Sequence, residues 1–235
     1  IDYPGFNLRF ANSAKRSGAK VVYYISPQVW AWHRSRVKKM RGIVDKMLVI
    51  FPFEADLYLS EGIDAEFVGH PLLEVLTSGL DRENFVKRYG LDPKKKILAL
   101  VPGSRMQEID KIFPEMLRAG RMIAESESME IVVAVAPTLQ EEHFRRFYSV
   151  ENVHLVKDAS YEVMANSDFA LVTSGTATLE TGLFGTPMIV VYKTSWPTYL
   201  IGRLLILLKN IRLVNVVAGT QIVRESILLR DYTPT

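Results

Sequence analysis

The stretch from Phe169 to Tyr192 constrains the fold of this chain more than any other. It begins with the apolar and β-branched run Phe169–Thr173 and turns through Ser174-Gly175. A segment rich in Thr, Ala and Leu follows and ends at Gly185, before a second apolar run, Met188–Tyr192. This order predicts a strand, a helix and another strand, and therefore two parallel strands joined by a right-handed crossover.

The turn before this helix has the composition of an anion-binding site. Ser174, Gly175 and Thr176 are small, so a ligand can approach the backbone. The helix start adds free N–H groups and the positive end of its dipole. Glu180 lies one turn beyond Thr176, where a carboxylate can accept hydrogen bonds from sugar hydroxyls. The alternative is structural, with Ser174 as a helix cap and Glu180 on a solvated face.

Composition excludes several other classes of protein. A chain of 235 residues with 48% hydrophobic residues can bury a large core, and its net charge of +3 is too small to indicate nucleic acid as a partner. The absence of cysteine excludes disulfides, thiol catalysis and zinc–thiolate sites. The cytoplasm is therefore the default expectation. No apolar run reaches the roughly 18 residues of a membrane span.

Strand-like and helix-like segments alternate along the chain, which predicts an α/β fold with parallel sheets covered on both faces. We predict two Rossmann-like domains, the first incomplete, whose strand ends form a ligand site. The expected parts are a partial N-terminal domain over 1–72, a linker over 73–96, a C-terminal domain over 97–215, and over 216–235 the start of a segment that returns toward the first domain.

Both ends of the chain carry expectations of their own. Pro4-Gly5 resembles a turn after a strand, so we expect the chain to begin inside an α/β domain and to be truncated at its C-terminus as well. Near the C-terminus, Trp196–Lys209 is apolar on nearly every face except at Arg203 and Lys209. This segment is either a core helix or a helix in the membrane interface.

Seven short stretches together resemble one enzyme family. They are Ile1–Asn7, Tyr24–Trp32, Pro52–Glu54, Phe67–Pro71, Pro102–Arg105, Ser174–Glu180, and Asn215 with Ala218-Gly219. In this order they are similar to the lipid-A-disaccharide synthase family, bacterial glycosyltransferases with the two-Rossmann (glycosyltransferase-B) architecture. The resemblance covers nearly the whole chain.

The resemblance implies a reaction in lipid A biosynthesis. A 2,3-diacylglucosamine unit moves from UDP-2,3-diacylglucosamine to the 6-hydroxyl of 2,3-diacylglucosamine 1-phosphate, which forms the β-1,6 disaccharide 1-phosphate and UDP. It implies no cofactor, and because the sequence has no Asp-x-Asp motif we expect no metal at the diphosphate. A cytoplasmic enzyme that is peripheral on the inner membrane is implied, and a homodimer is compatible with it.

The resemblance also implies roles for residues on the nucleotide side. Asp2 matches the catalytic base of the family, with a helix cap as the alternative reading. Arg105 is expected to bind the diphosphate bidentately and to stabilise the leaving group, with an ordinary surface arginine as the alternative. The full set of expected nucleotide-sugar ligands is Gly103, Ser104, Arg105, Ser174, Gly175, Thr176, Glu180 and Asn215.

The acceptor or lipid side is expected to contain Ser26, Trp30 and Trp32. The two tryptophans are two residues apart, so in an extended loop they would point the same way, against the acceptor or into the core. Basic residues at helical spacing, together with one in the apolar segment, are expected at a membrane surface or on a solvated face. They are Arg34, Lys38, Arg41 and Arg203.

Some residues depart from the family pattern, and alternatives stay open. Gly5 stands where the family often has a second acidic residue, which argues against a two-carboxylate mechanism. His70 and His143 are interpreted as structural. The alternatives are another UDP-sugar enzyme on the same fold, such as an epimerase or a hydrolase, and a noncatalytic nucleotide- or lipid-binding module.

Overall fold

The computed structural model describes residues 3–32, 35–76, 79, 81–147, 152–194 and 224–229. The protein is α/β, as predicted, and every pairing between its described strands is parallel. The described chain divides into two compact units between Val75 and Leu76. No described helix is both long enough and apolar enough to span a bilayer.

The first unit is a parallel sheet with helices on it. Pro at the first position of α1 and of α4 starts each helix without the loss of a backbone hydrogen bond. The strand order is β1-β2-β3, and its core contains the buried Met47, Val49 and Tyr58. The elements are α1 (Pro4–Arg16), β1 (Val22–Tyr24), α2 (Val29–Trp32), α3 (Ser35–Met40), β2 (Lys46–Val49), α4 (Pro52–Ser60), β3 (Ala65–Phe67) and α5 (Leu72–Val75).

The second unit contains a six-stranded parallel sheet in the order β6-β5-β4-β7-β8-β9. Its elements are α6 (Arg82–Tyr89), β4 (Lys96–Val101), α7 (Met106–Glu127), β5 (Met129–Val135), α8 (Glu142–Arg145), β6 (Val153–Lys157), α9 (Ser160–Ala165), β7 (Phe169–Thr173), α10 (Thr176–Leu183), β8 (Met188–Thr194) and β9 (Arg224–Leu229).

The second sheet is covered on both faces, which explains the continuous apolar runs of its strands. Along β4, Leu98 and Leu100 pack with the α7 residue Phe113 on one face. Ala99 and Val101 belong to the cluster on the opposite face, which contains residues of α6 and α9 and against which α10 packs. Alternate residues of one strand therefore serve two separate cores.

Two of the expected domain parts contain elements of the second unit. α6 lies within the expected linker, and its Phe85 and Val86 are buried in the second unit. β9 lies within the segment expected to return to the first domain, and it pairs with β8. Pro114 lies inside α7, so that helix lacks one backbone hydrogen bond, while the adjacent Phe113 is fully buried.

The stretch around the tryptophans also differs from what the sequence predicts. It is expected to be an extended loop, but it contains the helical turn α2. Side chains two residues apart point the same way in extended backbone only, so this reason for expecting both tryptophans on one partner does not apply to the turn.

Candidate functional site

The carboxyl ends of β4 and β7 lie side by side in the middle of the second sheet. Val101 pairs with Val172, so the loop Pro102–Arg105 and the turn Ser174-Gly175 start at neighbouring positions. The chain leaves β4 toward β5 on one side and leaves β7 toward β8 on the other. Ligands of parallel α/β sheets bind where the strand order reverses in this way. The fold thus brings the two predicted phosphate-binding stretches together.

The turn before α10 leaves its helix start uncapped. Gly175 has an extended backbone at the N-cap position, and no described side chain caps the helix. The Ser174 N–H donates to the Val191 carbonyl oxygen at 3.1 Å, which holds the turn in line with the β7–β8 pair. Gly175 and Thr176 are exposed. The helix N-terminus can therefore accept an anion, and Ser174 is not the helix cap of the alternative reading.

Glu180 is half-buried and bonded to a neighbouring helix. The Tyr161 hydroxyl donates to Glu180 Oε1 at 3.5 Å. Burial raises the pKa of Glu180, and the hydrogen bond from Tyr161 opposes part of that rise. Burial, followed by the charge of Glu180, also raises the pKa of Tyr161. The site therefore contains a partly desolvated carboxylate one turn along α10, and the solvated-face interpretation of Glu180 does not hold.

Arg105 lies at the start of α7, and Glu108 holds it there. The Arg105 side chain is 81% exposed, and its Nη1 donates to Glu108 Oε1 at 3.3 Å. Glu108 Oε2 accepts hydrogen bonds from the N–H groups of Ser104 at 3.1 Å and Arg105 at 3.3 Å. The carboxylate of Glu108 thus caps the helix and fixes the loop that carries Arg105.

Gly103 is required by the same arrangement. Its φ of +108° lies in the region that favours glycine, and an added Cβ would overlap the Glu108 carboxylate. Glu108 is not among the residues predicted for the site, although an acidic residue at the third position of a helix is a recognisable capping signal. Across the loop, the Thr138 hydroxyl donates to the Ser104 carbonyl oxygen at 2.8 Å.

Thr173 adds a polar group that sequence analysis also missed. It is the last residue of β7 and is buried, and in the described part of the chain its hydroxyl is the one buried side-chain polar atom without a hydrogen-bond partner. It directly precedes Ser174 at the point where the strand order reverses. Nothing in the local sequence distinguishes it from other strand threonines.

Two predicted acceptor-side residues in the first unit meet on a buried carboxylate. Glu54 Oε1 accepts hydrogen bonds from Ser26 Oγ at 2.7 Å and from Trp30 Nε1 at 2.9 Å. Glu54 Oε2 accepts one from the Phe51 N–H at 3.2 Å. Glu54 is 1% exposed, so these donors are what stabilises its charge. Glu54 belongs to the family-like stretch Pro52–Glu54, but the sequence alone indicates no role for it.

Tyr58 packs beside the Glu54 carboxylate and holds the loop between β1 and α2, which contains Pro27. Its hydroxyl donates to the Pro27 carbonyl oxygen at 3.3 Å. Burial raises the pKa of Tyr58 to about 12; the hydrogen bond with Ser26 opposes part of this rise, and the nearby charge of Glu54 adds to it. Tyr58 therefore stays protonated at neutral pH and acts as a donor to the loop.

The predicted basic stripe is only partly described. Lys38 is exposed on α3, which ends at Met40, so Arg41 lies beyond the helix and its guanidinium packs near Gly62. The expected helical spacing therefore does not extend to Arg41. Five other predicted features lie outside the described residues, namely Asp2, Arg34, the side chain of Trp32, Asn215, and the apolar segment with Arg203.

The described residues contain no group of His, Asp and Glu side chains able to hold a metal ion.

The sequence was compared with known families and curated proteins. Residues 1–232 match the family described as lipid-A-disaccharide synthetase. Lipid-A-disaccharide synthase of Syntrophus aciditrophicus (strain SB) is 46% identical over 231 residues, which cover 97% of this chain and 60% of that protein. The enzyme of the same name from Coxiella burnetii (strain RSA 331 / Henzerling II) is 43% identical over 235 residues, 100% of this chain and 62% of that protein. The chain spans about three fifths of the length of these relatives.

Solved structures share the fold at low sequence identity. UDP-GlcNAc 2-epimerase from Methanocaldococcus jannaschii aligns with a TM-score of 0.56 at 14% identity, over 94% of this chain and 62% of that one. The UDP-GlcNAc 2-epimerase from Neisseria meningitidis bound to UDP-GlcNAc aligns with a TM-score of 0.54 at 15% identity, over 78% and 56%. These likenesses confirm the predicted fold class and carry no conclusion about activity.

Proposed function

This chain belongs to the lipid-A-disaccharide synthetase family, and from that premise we propose that it transfers 2,3-diacylglucosamine from its UDP donor to 2,3-diacylglucosamine 1-phosphate. The observation that carries the proposal is the meeting of two stretches, Pro102–Arg105 and Ser174–Glu180, at the switch point of the second sheet. Both are stretches on which the family resemblance rests. Their geometry suits a nucleoside diphosphate, which offers phosphate and ribose oxygens to one site.

The leaving group is held by donors from both sides of the switch point. The free N–H groups at the start of α10, at Gly175 and Thr176, face an anion with the positive end of the helix dipole behind them. Arg105 adds a guanidinium that can bond two diphosphate oxygens. As the bond to the anomeric carbon breaks, negative charge builds up on the diphosphate, and these groups stabilise it. Gly103, Ser104 and Ser174 shape the backbone around it.

Glu180 supplies the acceptor for the ribose. Its carboxylate is partly desolvated, so a hydrogen bond from a vicinal hydroxyl is stronger than it would be in water. Tyr161 already donates to one of its oxygens, at 3.5 Å, and thereby orients the group. Glu180 is proposed to bind the two ribose hydroxyls and not to take part in proton transfer.

Asp2 and Asn215 complete the proposal on the strength of the family resemblance. Asp2 takes the proton of the acceptor 6-hydroxyl, and the resulting oxygen attacks the anomeric carbon of the donor sugar. A new carbon–oxygen bond forms, the bond to the diphosphate oxygen breaks, and UDP leaves with that electron pair. Asn215 lines the nucleotide site.

Both substrates carry acyl chains, so we place the protein on the cytoplasmic surface of the inner membrane. Trp30 and Trp32 are proposed near the acceptor, and Ser26 supports Trp30 through their shared contact with Glu54. Cations near an anionic leaflet each contribute about 1 kcal/mol to binding. The proposed cations are Arg34, Lys38, Arg41 and Arg203. A homodimer is the proposed assembly.

The test is UDP release by the complete protein supplied with UDP-2,3-diacylglucosamine, with and without the monosaccharide 1-phosphate acceptor. We expect release that depends on the acceptor and is lost in Asp2→Asn and Arg105→Ala. Release that ignores the acceptor would contradict the transferase and favour a hydrolase or an epimerase. Binding of UDP without turnover of any kind would favour a noncatalytic module.

A further inference from the structure

His70 lies at the carboxyl end of the first sheet. It follows β3 in the sequence Gly69-His70-Pro71, and Gly69 has a φ of +85° that turns the chain there. The Val68 N–H donates to the Val49 carbonyl oxygen at 3.0 Å, so β3 stays paired with β2 up to the turn. His70 is thus held at the sheet edge where parallel α/β proteins bind ligands.

One ring nitrogen of His70 has an assigned role. The backbone N–H of Leu72, the first residue of α5, donates to His70 Nδ1 at 3.1 Å. A nitrogen that accepts a hydrogen bond carries a lone pair, so in the neutral ring the proton is on Nε2. Burial lowers the pKa of His70, which favours this neutral form at physiological pH.

The second nitrogen of His70 is available. Among the described residues, none accepts a hydrogen bond from Nε2, and the ring is only half-buried. Because Nδ1 faces the Leu72 N–H, moving the proton to Nδ1 would place two N–H groups against each other. Nε2 therefore remains a donor and is unsuited to act as a general base.

A row of aromatic rings leads from His70 to Trp30 in α2. The His70 ring lies 5.3 Å from Phe51, Phe51 stacks on Phe53 at 5.7 Å, and Phe53 meets Trp30 edge to face at 5.4 Å. The Phe51 N–H and the Trp30 indole both donate to Glu54, which links the middle of the row to its far end. Phe51 is buried in the core, whereas Trp30, Phe53 and His70 are half-buried. The accessible part of the row therefore offers ring surface beside one polar donor, which suits a sugar with an apolar substituent.

We propose that His70 binds the acceptor glucosamine by donating a hydrogen bond from Nε2 to one of its hydroxyl or phosphate oxygens. This inference rests on the proposed function, since it places the acceptor on the first unit. In the reaction His70 orients the acceptor, while the proton of the 6-hydroxyl goes to Asp2. The interpretation of His70 as purely structural accounts for Nδ1 but leaves Nε2 without a role.

Two substitutions distinguish the role of Nδ1 from that of Nε2. In His70→Asn the amide oxygen takes the place of Nδ1 and can still accept from Leu72, but no donor reaches the position of Nε2. In His70→Gln the terminal NH₂ reaches the position of Nε2, while the acceptor for Leu72 is lost. His143 offers matched controls, because its Nδ1 accepts from the Gln140 N–H at 3.1 Å in the second unit.

We expect His70→Asn to raise the acceptor KM about tenfold in the complete protein with the UDP-sugar KM unchanged, the equivalent of one lost hydrogen bond. His70→Gln is expected to keep the acceptor KM within about threefold of wild type while lowering Tm. His143→Asn and His143→Gln leave both KM values unchanged.

The opposite pattern, with His70→Gln impaired and His70→Asn normal, would overturn the inference and leave only the role at Leu72. Equal acceptor KM values in both variants would overturn it too, whether raised together or at the wild-type level. A wild-type protein whose UDP release ignores the acceptor would instead contradict the proposed function itself. The two failures are therefore distinguishable in one set of assays.

Discussion

The indole of Trp30 donates a hydrogen bond of 2.9 Å to the buried carboxylate of Glu54, 24 residues further along the chain. This contact connects α2 with the start of α4. The same carboxylate also receives the Ser26 hydroxyl at 2.7 Å. The segment from Ser26 to Trp30 is therefore held by a buried charge, and its position depends on that charge being present.

Glu54→Ala should destabilise the protein strongly. The substitution leaves the donors of Ser26, Trp30 and Phe51 without an acceptor in a buried place, which costs at least about 3 kcal/mol of the free energy of unfolding. Urea denaturation followed by tryptophan fluorescence measures this. Asp56→Ala, at an exposed position of the same helix, is the control and should change the free energy by less than about 0.5 kcal/mol. Equal effects of the two variants would contradict the role of Glu54.

Arg105→Ala should lower kcat/KM for the UDP-sugar about 100-fold, because the charge that meets the departing diphosphate is lost. Arg105→Lys should recover only part of the loss, since an ammonium cannot bond two oxygens in a fork. The matched control is Arg118→Ala. Arg118 is an exposed arginine of α7 whose Nη2 lies 2.8 Å from Oε2 of Glu115, three residues away, the same separation as between Arg105 and Glu108. A loss of similar size in the control would show that Arg105 acts through the helix and not on the ligand.

Gly103→Ala should lower the affinity for UDP while the protein remains folded. The added Cβ would push against the Glu108 carboxylate, which then cannot hold the N–H groups of Ser104 and Arg105. Gly18→Ala is the control, because Gly18 also has a positive φ, +86°, but has no atom within 4 Å of an added Cβ. Calorimetric titration with UDP measures the difference. Unchanged affinity in Gly103→Ala would rule out a role of this loop in the nucleotide site.

Glu180→Gln should lower the affinity for UDP without lowering thermal stability. Burial raises the pKa of Glu180, so the folded state holds a proton more tightly than the unfolded state does and loses stability as pH rises through the interval between the two values. The neutral amide removes this penalty, so Tm at neutral pH should not fall. UDP affinity should drop about tenfold because a ribose acceptor is weakened. Glu125→Gln, on the exposed surface of α7, is the control for both measurements.

Asp45 should make the stability of the first unit sensitive to acid. The hydrogen bond from Lys15, and then the one from the Val21 N–H at 2.7 Å, lower the pKa of Asp45. A lowered folded-state pKa stabilises the protein at pH values above the unfolded value of about 3.9, and this contribution is lost as pH falls through the folded-state value. The free energy of unfolding of the wild type should therefore fall more steeply in that range than that of Asp45→Asn. Parallel curves for the two proteins would contradict the assignment.

The local sequence predicts much of the second unit. The apolar runs of β4 and β7 and the small-residue turn at Ser174-Gly175 are signals carried by adjacent residues, because strand and turn preferences depend on neighbours a few positions away. The α/β class follows from the alternation of such runs. Arg105 and Glu180 were recognised because each stands at a fixed distance from a turn or a helix start.

The tertiary structure decided which of these local pieces meet. Only the pairing of Val101 with Val172 brings the Arg105 loop beside the Ser174 turn, and only folding brings Trp30 to Glu54. Strand order depends on how a whole sheet covers its two faces, and no short window of sequence contains that information. For the same reason the sequence does not indicate the roles of Glu54 and Thr173, because their burial arises only when the ends of the sheets are packed. The sequence by itself determined the elements and their chemistry, whereas their packing against one another determined the site.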